Sequence, residues 1–146
     1  MTERHFFVHE KALVDDPADV GDGTRVWGFA HVLRGAKVGA HCNLGECVFV
    51  EAGAVLGDHV TIKNGVQVWD GVTCEDNVFV GPNPTFTHDL TPRVAYPKDP
   101  KEYARTHVAY GASIGANVTV VAGIRIGRHA MLGAGTVVFR DVADHA

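Results

Sequence analysis

An aliphatic or otherwise apolar residue returns at every sixth position through most of this chain. From Val8 the series runs Val14, Val20, Val26, Val32, Val38, Leu44, Val50, Leu56, Ile62, Val68, Cys74, Val80 and Phe86. It then breaks and resumes out of phase as Val108, Ile114, Val120, Ile126, Leu132 and Val138. Four positions after each beat comes a second inward candidate, small or β-branched, as at Ala12, Ala18, Thr24, Ala30, Ala36, Cys42, Val48 and Ala54. A helix would need apolar spacings of three and four, which no long window supplies. A hexapeptide period is instead the mark of a β-helix, whose short strands stack coil upon coil. The predicted fold is therefore all-β: a left-handed parallel β-helix of about six to seven triangular coils, forming a single domain over 1–146, with one long inserted loop over 87–107.

Three hexads make one coil, so residues eighteen apart should stack. Faces are labelled a, b and c from the beats at Val14, Val20 and Val26. Glycine follows the beat on face b (Gly21, Gly39, Gly57, Gly127) and on face c (Gly45, Gly81, Gly115, Gly133) but never on face a. That segregation survives the break only if about sixteen residues are inserted after Phe86. Such glycines admit turns or let a neighbouring backbone come close. Within the insertion, Pro92, Pro97 and Pro100 exclude a central strand and disfavour a helix before about 101. A loop this long in a compact repeat is functional or a tolerated excursion.

Composition removes some classes. The formal charge of −4 provides no basic footprint for nucleic acid. No run of about 18 apolar residues suggests a membrane span, and the polar start reads as no signal peptide. Cys42 and Cys74 fall on inward positions and Cys47 on an outward one, a pattern without a disulfide framework, which suits a reducing cytoplasm.

Chemistry concentrates at the root of the insertion. Asn83, Thr85, Thr87 and His88 are expected where face c of the fourth coil meets face a of the fifth. Asp70 lies eighteen residues below His88. A carboxylate under an imidazole can fix its tautomer and raise basicity at the other nitrogen. Below Thr87 come Trp69 and Glu51; below Thr85 come Gln67, Phe49 and His31. Each has a plainer reading as well: Asp70 as a turn residue before Gly71, Glu51 and Gln67 as solvated positions, Trp27, Phe29 and Trp69 as cover for a subunit interface. His41, His59 and His129 are read as surface residues. Above Asn83 the small residues Ala116, Asn117, Ala134 and Gly135 predict a shallow channel with exposed backbone, suited to an extended amide-bearing ligand. Arg125, Arg128 and Arg140 near its far end are phosphate candidates. The same small residues would also suit tight packing of coils or subunits.

The hexads, the stretch from Val78 to Arg93 (Val-Phe-Val-Gly-Pro-Asn-Pro-Thr-Phe-Thr-His-Asp-Leu-Thr-Pro-Arg), Gly111-Ala-Ser-Ile-Gly-Ala-Asn117 and Leu132-Gly-Ala-Gly-Thr-Val-Val138 resemble the left-handed β-helix acyltransferases. Within them the chain is most similar to N-acetyltransferases of nucleotide-linked 3-amino sugars for surface polysaccharides. The resemblance implies a homotrimer, acetyl-CoA as co-substrate in a cleft between subunits, no metal, and Asn83 orienting the sugar amine. The expected sites follow. His88, Asn83 and Asp70 are catalytic. His31, Glu51, Gln67, Trp69, Thr85 and Arg93 meet the nucleotide-linked amino sugar. Gly111, Ala112, Ala116, Asn117, Ala134, Gly135 and Arg140 meet the coenzyme, with amides near Gly111 and Ala112 facing the oxyanion. Many relatives carry Asn where this chain has His88, and they continue past Val142 into a Gly-Asn-Pro-Ala segment that helps close the coenzyme site. His88 also resembles the loop histidine of O-acetyltransferases, so transfer to a hydroxyl is the nearest alternative. A zinc hydro-lyase like the trimeric carbonic anhydrases would need three converging histidines, and His31, His88 and His107 lack its spacing. A non-catalytic trimeric scaffold is the remaining reading.

Overall fold

A computed structural model describes residues 4–146. The strands are two or three residues long and every pairing between them is parallel. They fall where the sixfold beat puts them, with the beat residue buried and its predecessor facing out. The result is the predicted left-handed parallel β-helix of about seven turns. Face c is a continuous sheet of seven strands from Phe7–Val8 to Met131–Leu132, and face b one of six from Asp19–Val20 to Arg125–Ile126. Among the described residues, no helix is long and apolar enough to cross a membrane.

Partners lie eighteen residues apart, as in Val8 with Val26 and Val50 with Val68. Across the insertion they lie thirty-four apart, as in Cys74 with Val108 and Phe86 with Val120, so sixteen residues are added without loss of phase. The excursion is tighter than the expected 87–107. The amide of Thr87 still donates to the Val120 carbonyl, and Thr106–Val108 is already strand. What leaves the prism is the segment between them. It contains one short 3-10 turn, Pro100–Glu102, started by an Asp99 cap.

The core is a column of the two inward positions of each hexad, nearly all aliphatic. Each buried valine is worth about 1.5–3 kcal/mol relative to exposure. No two-residue strand could persist alone; stability accumulates from neighbouring coils. Thr24 and Thr106 are the buried polar exceptions, and both are satisfied: the Thr24 hydroxyl donates to Gly39 O at 2.8 Å, and that of Thr106 accepts from Gly123 N at 3.2 Å.

The corners are made by a position the sequence reading did not single out. Three residues after each beat, from Gly23 to Asn83 and again from Gly111 to Gly135, φ is positive. Glycine, asparagine and histidine dominate there because they tolerate left-handed backbone. His41, His59 and His129 are thus corner residues, and the rings of His41 and His59 stack at 5.1 Å. The glycines directly after the beat are not turns. All but Gly133 are close approaches: a Cβ at Gly21 would stand 2.5 Å from the Ala40 nitrogen of the next coil.

Candidate functional site

Face a is the exception among the three walls. Its sheet divides into four strands ending at Gln67–Val68 and three beginning at Thr85–Phe86, with no ladder between them. Phe49 and Glu51 donate their amides to Val66 and Val68 in the coil above; Gln67 and Trp69 make no such bonds to the fifth coil. Instead the Trp69 indole Nε1–H donates to the Phe86 carbonyl at 2.7 Å. The break lies directly beneath the root of the insertion.

His88 sits there, half-buried between two rings. Its imidazole centroid is 5.5 Å from that of Trp69 and 4.5 Å, edge-on, from that of Tyr103. Phe49 and His31 continue the aromatic column below Trp69 at 5.8 and 6.0 Å spacings. Tyr103 was not anticipated as a site residue. It closes the 3-10 turn, so its ring position depends on a loop path that spacing does not reveal. A second tie closes the excursion on itself, as Lys98 donates to the Asp89 carboxylate and to the Thr91 hydroxyl. The Lys98 ammonium holds the Asp89 carboxyl below the usual carboxylate range.

Asp70 does not orient His88. The two share a corner, but the Asp70 carboxylate turns toward the coil below and lies over Gly53. Other carboxylates and amides at its position in the hexad also reach downward: Asp58 accepts from Ala40 N, Asn64 from Glu46 N and Asp76 from Asp58 N, at 2.8, 3.1 and 2.7 Å. No side-chain hydrogen bond joins Asp70 to His88 among the described residues. The carboxylate–imidazole pairs that do form are elsewhere. Asp15 meets His31 at 3.0 Å on face a, and Glu75 meets His107 at 2.8 Å on face b. The His31 bond, helped by the Arg34 amide, keeps the Asp15 carboxyl below its ordinary range.

Asn83 and His88 are likewise not at one corner. Asn83, with φ of 63°, turns the chain from face c onto face a, whereas His88 stands where face a gives way to the insertion. Five steps of largely extended chain separate them, roughly 16 Å at about 3.3 Å per residue. The remaining polar candidates line face a or its edges. The Glu51 carboxylate accepts from Asp70 N at 2.8 Å, and Gln67 Nε2 donates to Gly65 O at 2.9 Å. The Thr87 hydroxyl accepts from Ala122 N at 3.0 Å, while Thr85 points outward in register with Thr119. Arg93 lies at the exposed tip of the insertion, in a concavity lined by Leu90–Tyr96 alone, away from the strip.

Above Asn83 the small residues stack in one column. The amide of Asn117 donates to Pro82 O and that of Gly135 to Ala116 O, stacking the small residues on one corner. Two residues after the beat, an Asp or Asn overhead caps the backbone N–H of Ala40, Glu46, Asp58 and Arg128; above Ala116 stands Ala134, which cannot. The Ala116 N–H therefore finds no acceptor among the described residues. Gly111 and Ala112 do not belong to it. They lie at the opposite edge of face c, and their amides are spent on Asp76 O and Ala109 O, which removes them as oxyanion donors. Arg140 is exposed and lies over the Phe139 ring at 5.9 Å, beside a groove formed by Leu132 and residues 136–143.

Residues 35–69 and 111–140 match the family model described as the hexapeptide repeat of succinyl-transferase. A dTDP-3-amino-3,6-dideoxy-alpha-D-galactopyranose 3-N-acetyltransferase from Aneurinibacillus thermoaerophilus is 48% identical over 140 residues, covering 96% of this chain and 71% of its own length. The bifunctional protein GlmU of Thermosynechococcus vestitus is 28% identical over 92% of the chain, which spans only 27% of that protein. Among solved structures, the acetyltransferase domain of PglB from Neisseria gonorrhoeae with acetyl coenzyme A superposes with a TM-score of 0.63 at 20% identity, over 97% of this chain and 52% of that one. PerB from Caulobacter crescentus, in complex with CoA and GDP-perosamine, gives 0.56 at 20% identity, over 94% and 52%. This chain thus spans about half the length of those two structures, whose likeness is one of fold. The near-half identity over 96% of the chain is of a different order, and it places the chain in the hexapeptide-repeat acyltransferase family.

Proposed function

We propose that the chain transfers the acetyl group of acetyl-CoA to the amine of a nucleotide-linked 3-amino-deoxyhexose. The observation that carries this reading is the 48% identity to a 3-N-acetyltransferase of such a sugar over 140 residues. Two features of the chain support it. The uncapped amide of Ala116, beside Asn117 and beneath the small side chain of Ala134, is suited to an amide group of a pantetheine arm. Polar and aromatic groups on face a, among them Glu51, Gln67 and Thr85, border the loop root and suit a sugar nucleotide.

The amine attacks the thioester carbonyl carbon; a C–N bond forms, the C–S bond breaks, and the amine proton passes to solvent or His88 and then to the departing thiolate. Alignment of amine and thioester supplies most of the acceleration. Because Asn83 and His88 flank face a at opposite edges, a homotrimer would let one protomer's Asn83 and its neighbour's His88 border the same amine. His88 either takes the proton or holds the sugar.

Incubation of acetyl-CoA with a panel of nucleotide-linked amino sugars, read by thiol release, tests the assignment. The dTDP-linked 3-amino-3,6-dideoxygalactose should be acetylated, and no release with any amino sugar would overturn the reading. Substituting His88→Ala should lower kcat by roughly 10²-fold or more while leaving acetyl-CoA affinity near that of the parent. Unchanged turnover would remove His88 as the base.

A further inference from the structure

We infer that Trp69 is a positioning residue: its indole N–H holds the Phe86 carbonyl, and its ring fixes the imidazole of His88 at the foot of the insertion. This rests on the proposed acetyl transfer for its catalytic consequence, but its geometry stands apart from it. Three observations converge. The ladder between the fourth and fifth coils is missing only on face a, where Trp69 lies, while faces b and c run unbroken past the same level. The single bond across that gap from Trp69 comes from its indole, 2.7 Å from a carbonyl two residues before His88. The His88 ring is then held from both sides, by Trp69 at 5.5 Å and by Tyr103 at 4.5 Å.

The backbone explains why an indole is needed. Phe86 stands where the other face a beats carry aliphatic residues, and its buried ring is the largest side chain in the core. A carbonyl left unpaired at a partly buried break in a sheet is costly, so the side-chain donor replaces the absent backbone partner. The same contact ties the wall of the fourth coil to the outgoing foot of the insertion. Tyr103, next to its returning foot, completes the clamp. Trp69 therefore does not offer its N–H to substrate, contrary to its expected place in the sugar site; it sets where His88 stands. Neither partner ring donates a hydrogen bond to His88, so both of its nitrogens stay available.

The test replaces Trp69 by Phe, which keeps a ring and removes the donor. In the W69F protein the His88 ring resonances, assigned by their loss in H88Q, should move toward free-imidazole values as the clamp loosens. With the dTDP-linked 3-amino sugar, kcat should fall roughly tenfold while KM for acetyl-CoA stays within about twofold. Should W69F fail to fold, benzothienylalanine incorporated at 69 in a W27F background preserves the bicyclic shape and removes only the N–H; the same resonance shift and kcat loss are expected. Unmoved His88 resonances in the folded variant would overturn the inference, as would an unchanged kcat alongside moved resonances. If the unmodified protein acetylates no amino sugar yet His88 still moves in W69F, the proposed reaction fails and the clamp remains.

Discussion

Cys42, Cys47 and Cys74 differ only in where the hexad puts them, and their chemistry differs accordingly. Burial pushes the Cys74 thiol up to about 12 and raises that of Cys42 as well, whereas Cys47 is exposed at a corner. A thiolate is the reactive form. Folded protein should therefore release one equivalent of chromophore rapidly to an aromatic disulfide reagent, and C47S should release none until denatured. Glu75 gives a second prediction. Its carboxyl is held below the ordinary range first by the His107 hydrogen bond and then by the Tyr110 amide at 2.6 Å. A depressed folded pKa stabilises above the unfolded value, and that contribution disappears as pH falls through the folded value. Acid titration of the melting temperature should thus be flatter in Glu75→Gln than in the parent over the range below about pH 4.5. Inward and outward assignments of single residues were legible from the period alone. The direction of an outward side chain along the prism axis was not, which is why Asp70 was expected to reach up to His88 and instead reaches down to Gly53.

Between one coil and the next, two devices recur, and both permit direct tests. Glycine after the beat leaves room for the neighbouring backbone. Gly21→Ala should cost about 1–3 kcal/mol in denaturant melts because its methyl would press on Ala40. Gly133→Ala, whose nearest neighbour would be Thr136 Oγ1 at 3.7 Å, should stay within about 0.5 kcal/mol. The second device is the Asp or Asn that hooks the amide below. Ala134→Asn, built after Asn64 over Glu46, should cap Ala116 and raise KM for acetyl-CoA several-fold with stability kept or improved. Unaltered KM would show that the Ala116 amide does not bind the coenzyme. The strands themselves were legible because each needs only its beat and its partner eighteen residues away. The hooks and left-handed corners were written in the sequence too, at fixed offsets, but a search confined to apolar residues passes over them. The broken ladder on face a was not legible, since the beat continues through it and the spacing does not show where an indole takes the place of a backbone donor.

At the scale of the whole molecule, the register tolerated a sixteen-residue interruption and the coils above and below agree as though it were absent. The phase, the inserted length and the column above Asn83 all follow from a three-hexad turn. The placement of Asn83 and His88 at opposite edges of face a follows from the same arithmetic, but needs the width of a face as well as its order. The described chain carries exposed apolar side chains on two faces, including Phe7 and Met131 on face c and Leu13, Val137 and Phe139 on face a. Light scattering should report three copies per particle, the state that would bring the two edges of face a together across an interface. The excursion begins and ends at one vertex of the triangle and is clipped shut by Lys98. Its length and wording can consequently vary without a strand shifting by a single residue. The whole excursion could be exchanged for another loop while the stacked prism beneath goes on folding as before.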